Sequence, residues 1–186
     1  MAVIVVTGTP GAGKTTVLKK ALESISNFNV VNFGDEMLSY AKKIGIVEDR
    51  DELRKQPLDI QREIQKKAAK NISEKAKNSH VIVDTHCTVK TPMGYLPGLP
   101  KWVLEELKPK TIVLVEADPE DIVNRRLMDA ERTRDKEMTQ EIREHQEMNR
   151  AVAMAYAMVS GATVKMIKNR ENKLEDAAVE MMEALR

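Results

Sequence analysis

The sequence predicts an α/β fold built on a five-stranded parallel sheet covered by helices on both faces. Three observations predict it. Short β-branched runs recur along the chain, each the length of one strand; stretches with apolar residues at helical spacing separate them; and the first run leads into a glycine-rich loop that opens a helix. With 186 residues the chain is long enough to bury a core and is most simply one domain, residues 1–186.

"AVIVV" at 2–6 has the composition of a buried parallel strand. Next comes "GTPGAGKT", in which Gly8, Gly13, Lys14 and Thr15 fit G-x-x-x-x-G-K-[ST]. Glycines let backbone N–H groups turn inward around phosphates where a Cβ would obstruct them. Lys14 is placed to reach the β- and γ-phosphates of a nucleotide, and the Thr15 hydroxyl to ligate Mg²⁺. Val17, Leu18, Ala21, Leu22 and Ile25 then repeat at helical spacing, so a helix N-terminus faces the anion. The fold is therefore expected to be that of the P-loop NTPases.

Further strands are expected at "VVNF" (30–33), "HVIVD" (80–84), "TIVLV" (111–115) and "TVKMI" (163–167). Ile60, Ile64, Ala68, Ile72 and Ala76 form a four-residue stripe along one intervening helix. "DPED" at 118–121 reads as an N-cap followed by Pro119 in the first helical position. A long helix is expected over 139–159, ended by Gly161. Asn172 and Glu175 have the spacing of a capping box for the last helix.

Composition narrows the function. A formal net charge of +1 with 32% charged residues implies neither a nucleic-acid nor an anionic-membrane partner. The single cysteine, Cys87, excludes an internal disulfide and suits a reducing compartment. No basic-then-apolar leader is visible and the apolar runs are strand-sized, so a cytoplasmic protein without a membrane span is expected. The 11 methionines read as flexible core filler.

"HVIVD" delivers Asp84 to the carboxyl end of a strand, where in phosphate-loop enzymes a carboxylate serves Mg²⁺. His86 and Cys87 are too few ligands for zinc and read as packing residues. A GTPase switch would need N/T-K-x-D, yet the nearest tetrad, Asn172 to Glu175, ends in Glu. A kinase for a phosphorylated acceptor instead needs cations to offset repulsion between two anions and to shield the migrating group from water. "RRLMDAERTRD" (125–135) supplies Arg125, Arg126, Arg132 and Arg134 after the fourth strand, and a short lid is expected over about 125–138.

With "DTHCTVKTPMGYLPGLP" (84–100), "RTRD" (132–135) and "EHQEMNRA" (144–151), the chain resembles adenylate kinase of the archaeal type along essentially its whole length. The resemblance implies the reaction ATP + AMP ⇌ 2 ADP with Mg²⁺, and a homotrimer. It implies that Gly8, Thr9, Pro10, Gly11, Ala12, Gly13, Lys14, Thr15 and Thr16 bind ATP. Thr15 and Asp84 would serve the metal, and Lys14 with Arg125, Arg126, Arg132 and Arg134 would be catalytic. "FGDEML" (33–38) resembles the start of an AMP-binding helical segment, about 34–79, with Gly34 and Asp35 matching the family. Ser39 stands where bacterial and eukaryotic relatives carry an AMP arginine, and "THCTVKT" replaces their Gly-Phe-Pro-Arg. Arg54 is then the substitute, with Lys90 and Thr91 next. A kinase for another nucleoside monophosphate, or an adenylate-kinase-like ATPase acting in ribosome assembly, also fits the loop.

Overall fold

In the computed structural model, which describes residues 1–128 and 139–186, five strands form one sheet in the order β2-β3-β1-β6-β7. These are β1 (Val3–Gly8), β2 (Phe28–Asn32), β3 (His80–Asp84), β6 (Thr111–Glu116) and β7 (Thr163–Lys168). Every neighbouring pair is parallel. The helices are α1 (Lys14–Leu22), α2 (Phe33–Lys43), α3 (Arg50–Lys55), α4 (Leu58–Lys75), α5 (Lys101–Leu107), α6 (Pro119–Met128), α7 (Thr139–Ser160) and α8 (Leu174–Leu185).

Alternation along each strand feeds two cores. Val5, Val83 and Leu114 point to one face, where Ala68 and Ile72 of α4, Leu104 of α5 and Tyr156 of α7 cover them. Ile4, Ile82 and Val113 point to the other, under Val17 and Leu18 of α1 and Met181 of α8. Each fully buried aliphatic side chain of this kind contributes about 1.5–3 kcal/mol. The α4 stripe is buried at Ile64, Ala68 and Ile72, and Ile64 turns toward Ala41, Val47 and Leu53 in a satellite core with α2 and α3.

The five strands and both covering layers agree with the expectation; three local features differ. Phe33 does not end β2 but opens α2, because the Asn32 side chain accepts from the Asp35 N–H at 3.1 Å and caps the helix there. The Asn172–Glu175 capping box does not form. Asn172 has φ 56°, a left-handed turn conformation instead of the extended one an N-cap needs, and α8 starts after Lys173 with no side-chain cap. Finally, β4 (Thr88–Thr91) and β5 (Gly94–Pro97) make a small antiparallel hairpin that the strand pattern did not suggest. Pro119 opens α6 and Gly161, at φ 76°, follows the end of α7, both as expected.

The topology sets the position of the site. β1 lies between β3 and β6, and Asp84 pairs in register with both Val6 and Asn32. The loop after β1 and the carboxylate after β3 therefore emerge side by side at the carboxyl edge of the sheet, where open α/β sheets bind ligands.

Candidate active site

The loop between β1 and α1 is shaped from both sides. A side chain at Gly8 would run into the Val115 carbonyl on β6, so only glycine permits this approach. Gly13 has φ 82° and caps α1 in the left-handed conformation. Several loop carbonyls are engaged by the surrounding protein. Thr9 O accepts from Ala12 N at 3.0 Å, and Ala12 O accepts from Asn169 Nδ2 at 2.9 Å. Pro10 O accepts from Arg126 Nε and Nη2, at 3.2 and 2.5 Å. The first turn of α1 carries no acidic residue and no side-chain cap. Its N–H groups, at Lys14, Thr15 and Thr16, lack intrahelical acceptors, and with the helix dipole they form an anion site.

Lys14 stands where the loop meets β3. Its ammonium is ion-paired with Asp84, and Nζ donates to Thr85 O at 3.1 Å. Burial pushes the Lys14 pKa down to about 8, while the adjacent carboxylate, like an incoming phosphate, acts in the opposite direction. Thr15 follows Lys14 in the first turn of α1. A hydroxyl and a carboxylate are hard oxygen donors that suit Mg²⁺. Among the described residues there is no cluster of three or more His, Cys, Asp or Glu that would form a complete cage. The donor set therefore fits a cation that keeps water and phosphate as its remaining ligands.

The arginines divide by position. Arg125 Nη2 donates to Glu171 at 3.1 Å, while its Nη1 is buried with no hydrogen-bond partner among the described residues. That Nη1 lies 3.7 Å from where a Cβ on Gly13 would stand, beside the phosphate loop. Arg126 braces the loop through Pro10. Arg132 and Arg134, with the rest of 129–138, lie outside the described residues.

A second cleft of about 270 Å³ shares a wall with the first site, since Lys14 and Asp84 border it together with Gly34, Arg50, Arg54 and His86. Asp35 sits at its edge in an ion pair with Arg50. Arg54 holds Asp51 at 2.9 Å from an exposed position. Lys90 and Thr91 are elsewhere: Lys90 pairs with Glu141 at 3.2 Å, and Thr91 Oγ1 donates to Gly94 O across the hairpin turn. Neither borders the cleft. A larger groove of about 670 Å³, lined by Leu58, Arg62, Leu96 and Trp102, touches no residue of the phosphate loop.

Sequence reasoning missed three groups here. Arg50 is brought to the cleft by the turn between α2 and α3, and no periodicity marks it. Asn169 braces Ala12 from the segment after β7. The "EHQEMNRA" stretch places several polar side chains of α7 against the sheet edge. Gln146 Oε1 accepts from Ala117 N at 3.2 Å, and Arg150 makes a fork to Glu116 at 2.7 and 2.6 Å.

Comparison with known proteins agrees with this fold. Residues 7–143 match the family model described as an AAA domain. The chain is 55% identical over 186 residues to an adenylate kinase of Methanopyrus kandleri, covering 99% of this chain and 97% of that protein. It is 55% identical to the adenylate kinase of Methanothermobacter thermautotrophicus, with 100% of both chains covered. The Pyrococcus furiosus adenylate kinase is 50% identical, with 98% and 94% covered. A solved shikimate kinase from Acinetobacter baumannii in complex with shikimate shares the fold, with TM-score 0.59 at 17% identity and coverage of 98% and 92%. By full-length identity to these curated relatives, the chain belongs to the adenylate kinase family.

Proposed function

We propose that the chain catalyses ATP + AMP ⇌ 2 ADP, with ATP on the phosphate loop and AMP in the adjoining cleft. The observation that carries this is the shared wall: Lys14 and Asp84 border both the loop and an arginine-bearing second cleft. Two anionic substrates meeting there need cations on each side and at the junction. Gly8 to Thr16 would hold the donor phosphates. Lys14 would leave Asp84 for the β- and γ-oxygens as charge grows on them. An AMP phosphate oxygen attacks the γ-phosphorus as the bond to the β–γ bridging oxygen breaks. The attacking oxygen is already anionic, so no general base is required.

On the acceptor side, Gly34, Asp35 and Arg54 belong to the AMP segment of about 34–79, and Arg50 joins them. Lys90 and Thr91 are set aside, since Lys90 is paired with Glu141 of α7 and Thr91 is engaged across the hairpin turn. Arg125, Arg126, Arg132 and Arg134 are assigned to the lid of about 125–138, with Arg125 Nη1 reaching a donor phosphate and Arg126 bracing the loop. Thr15 and Asp84 would hold Mg²⁺ with the nucleotide, where such an ion would supply charge neutralisation to the phosphates. We further propose a cytoplasmic homotrimer, which rests on the family relationship and on no surface of this chain. No helix among the described residues is long and apolar enough to cross a membrane.

The test is to incubate the purified protein with ATP and Mg²⁺, with and without AMP. Formation of two ADP per AMP consumed is expected; ATP hydrolysis independent of AMP would instead favour an assembly ATPase. Light scattering should give about three times the 21.0 kDa chain mass, and a monomer would refute the trimer alone.

A further inference from the structure

The "EHQEMNRA" stretch contains one side chain that touches both halves of the site. Asn149, on α7, is 1% exposed. Its Nδ2 donates to Thr9 Oγ1 in the phosphate loop at 3.1 Å. Its Oδ1 accepts from Thr88 Oγ1 at 2.6 Å. Its backbone carbonyl accepts from Cys87 Sγ at 3.3 Å. Thr88 opens β4, and Asp84, Thr85, His86 and Val89 on either side of it border the acceptor cleft. One amide thus ties the donor loop with its nitrogen and the acceptor wall with its oxygen.

The connection is stiff. Thr9, Thr88, Asn149 and His145 are all buried, so a broken link would leave polar atoms without water. His145 Nε2 is 3.1 Å from Thr88 Oγ1. The Thr88 proton is already committed to Asn149, so the imidazole nitrogen is the donor and fixes that hydroxyl. Tyr156, about two helical turns beyond Asn149 along α7, donates to Cys87 O at 2.8 Å and holds the same segment.

Phosphoryl transfer between two bound nucleotides requires the reacting atoms to be about 3–3.5 Å apart, and a misplacement of about 1 Å costs on the order of a hundredfold. We propose that Asn149 is a positioning residue that fixes the spacing between the donor loop and the acceptor wall through Thr9 and Thr88. The inference rests on the two-nucleotide reading above and assigns Asn149 no contact with substrate.

The readout is the affinity for a compound joining two adenosines through five phosphates, which bridges both sites at one fixed spacing. Asn149→Ala should lower kcat about 10- to 100-fold and weaken this compound in parallel. The Kd values for ATP and for AMP, each measured alone by calorimetry, should stay within about threefold. A merely structural role would lower all three affinities together and leave their ratio unchanged. Thr88→Val removes the acceptor-side link while keeping side-chain shape, and carries the same test should Asn149→Ala fail to fold. Thr88→Val and Asn149→Ala act through one amide, so the double variant should show about the larger single effect instead of the product. Wild-type kcat and bisubstrate affinity in these variants would overturn the proposal and leave the kinase reading standing. A wild-type protein that transfers nothing to AMP would instead overturn the kinase reading, and this inference with it.

Discussion

Replacing Lys14 by Met keeps most of the side chain's volume and removes its charge, so it separates the lysine's two duties. Lys14 and Asp84 are each only 15% exposed, so a cation there acts on phosphate in a medium that screens weakly. Losing one such electrostatic contact to developing charge typically costs about 10²–10³ in kcat, or about 2.7–4 kcal/mol. The same change strands the Asp84 carboxylate in the nucleotide-free protein. Breaking a buried pair from one side costs about 3 kcal/mol at the lower end of the usual range. For a chain of this size, that is a fall of about 6–12 °C in Tm. The double variant Lys14→Met/Asp84→Asn removes both charges and should regain most of the lost Tm while remaining inactive. A coupled assay of ADP formation and a thermal melt on all three proteins decide the matter. Near-wild-type turnover in folded Lys14→Met would refute the loop assignment. A double variant no more stable than the single would refute the ion-pair argument.

Three other outcomes are expected. Asp84→Asn should abolish most Mg²⁺-dependent turnover; if activity persists across a magnesium titration while Tm falls, Asp84 is a structural residue. Burial holds the free-enzyme Lys14 pKa near 8, and the charged form is the active one, so kcat/KM for ATP should fall as pH rises above about 8. Bound phosphates raise that pKa, so kcat should persist to higher pH; coincident profiles would contradict this. Arg125→Ala, which removes a buried guanidinium nitrogen beside Gly13 that has no hydrogen-bond partner among the described residues, should weaken ATP more than AMP, and equal losses for both would reassign it.

What the sequence made legible follows from how local each signal is. The donor loop was readable because Gly8, Gly13, Lys14 and Thr15 sit within eight consecutive positions and take their meaning from adjacent backbone. Asp84 was readable because it directly follows the apolar run of its own strand and so stands at that strand's carboxyl end. Arg50 was not, because its partner Asp35 is fifteen residues away across a turn whose path depends on tertiary packing. Asn149 was visible only as part of a resemblance, since its partners Thr9 and Thr88 are 140 and 61 residues distant. The Asn172–Glu175 spacing misled for the opposite reason. A capping box needs extended backbone at its first residue, and Asn tolerates the left-handed turn that the chain adopts there instead. Lys90 and Thr91 belong to the stretch that replaces the relatives' Gly-Phe-Pro-Arg, but neither borders the cleft, since Lys90 pairs with Glu141 and Thr91 bonds across the hairpin turn.

The central claim is that the second cleft takes AMP, and the direct measurement is transfer from ATP to AMP, CMP, UMP and GMP under identical conditions. The account predicts that AMP has the highest kcat/KM and that each AMP consumed yields two ADP. A pyrimidine nucleotide used as well as AMP, or ATP turnover indifferent to every acceptor, would contradict it.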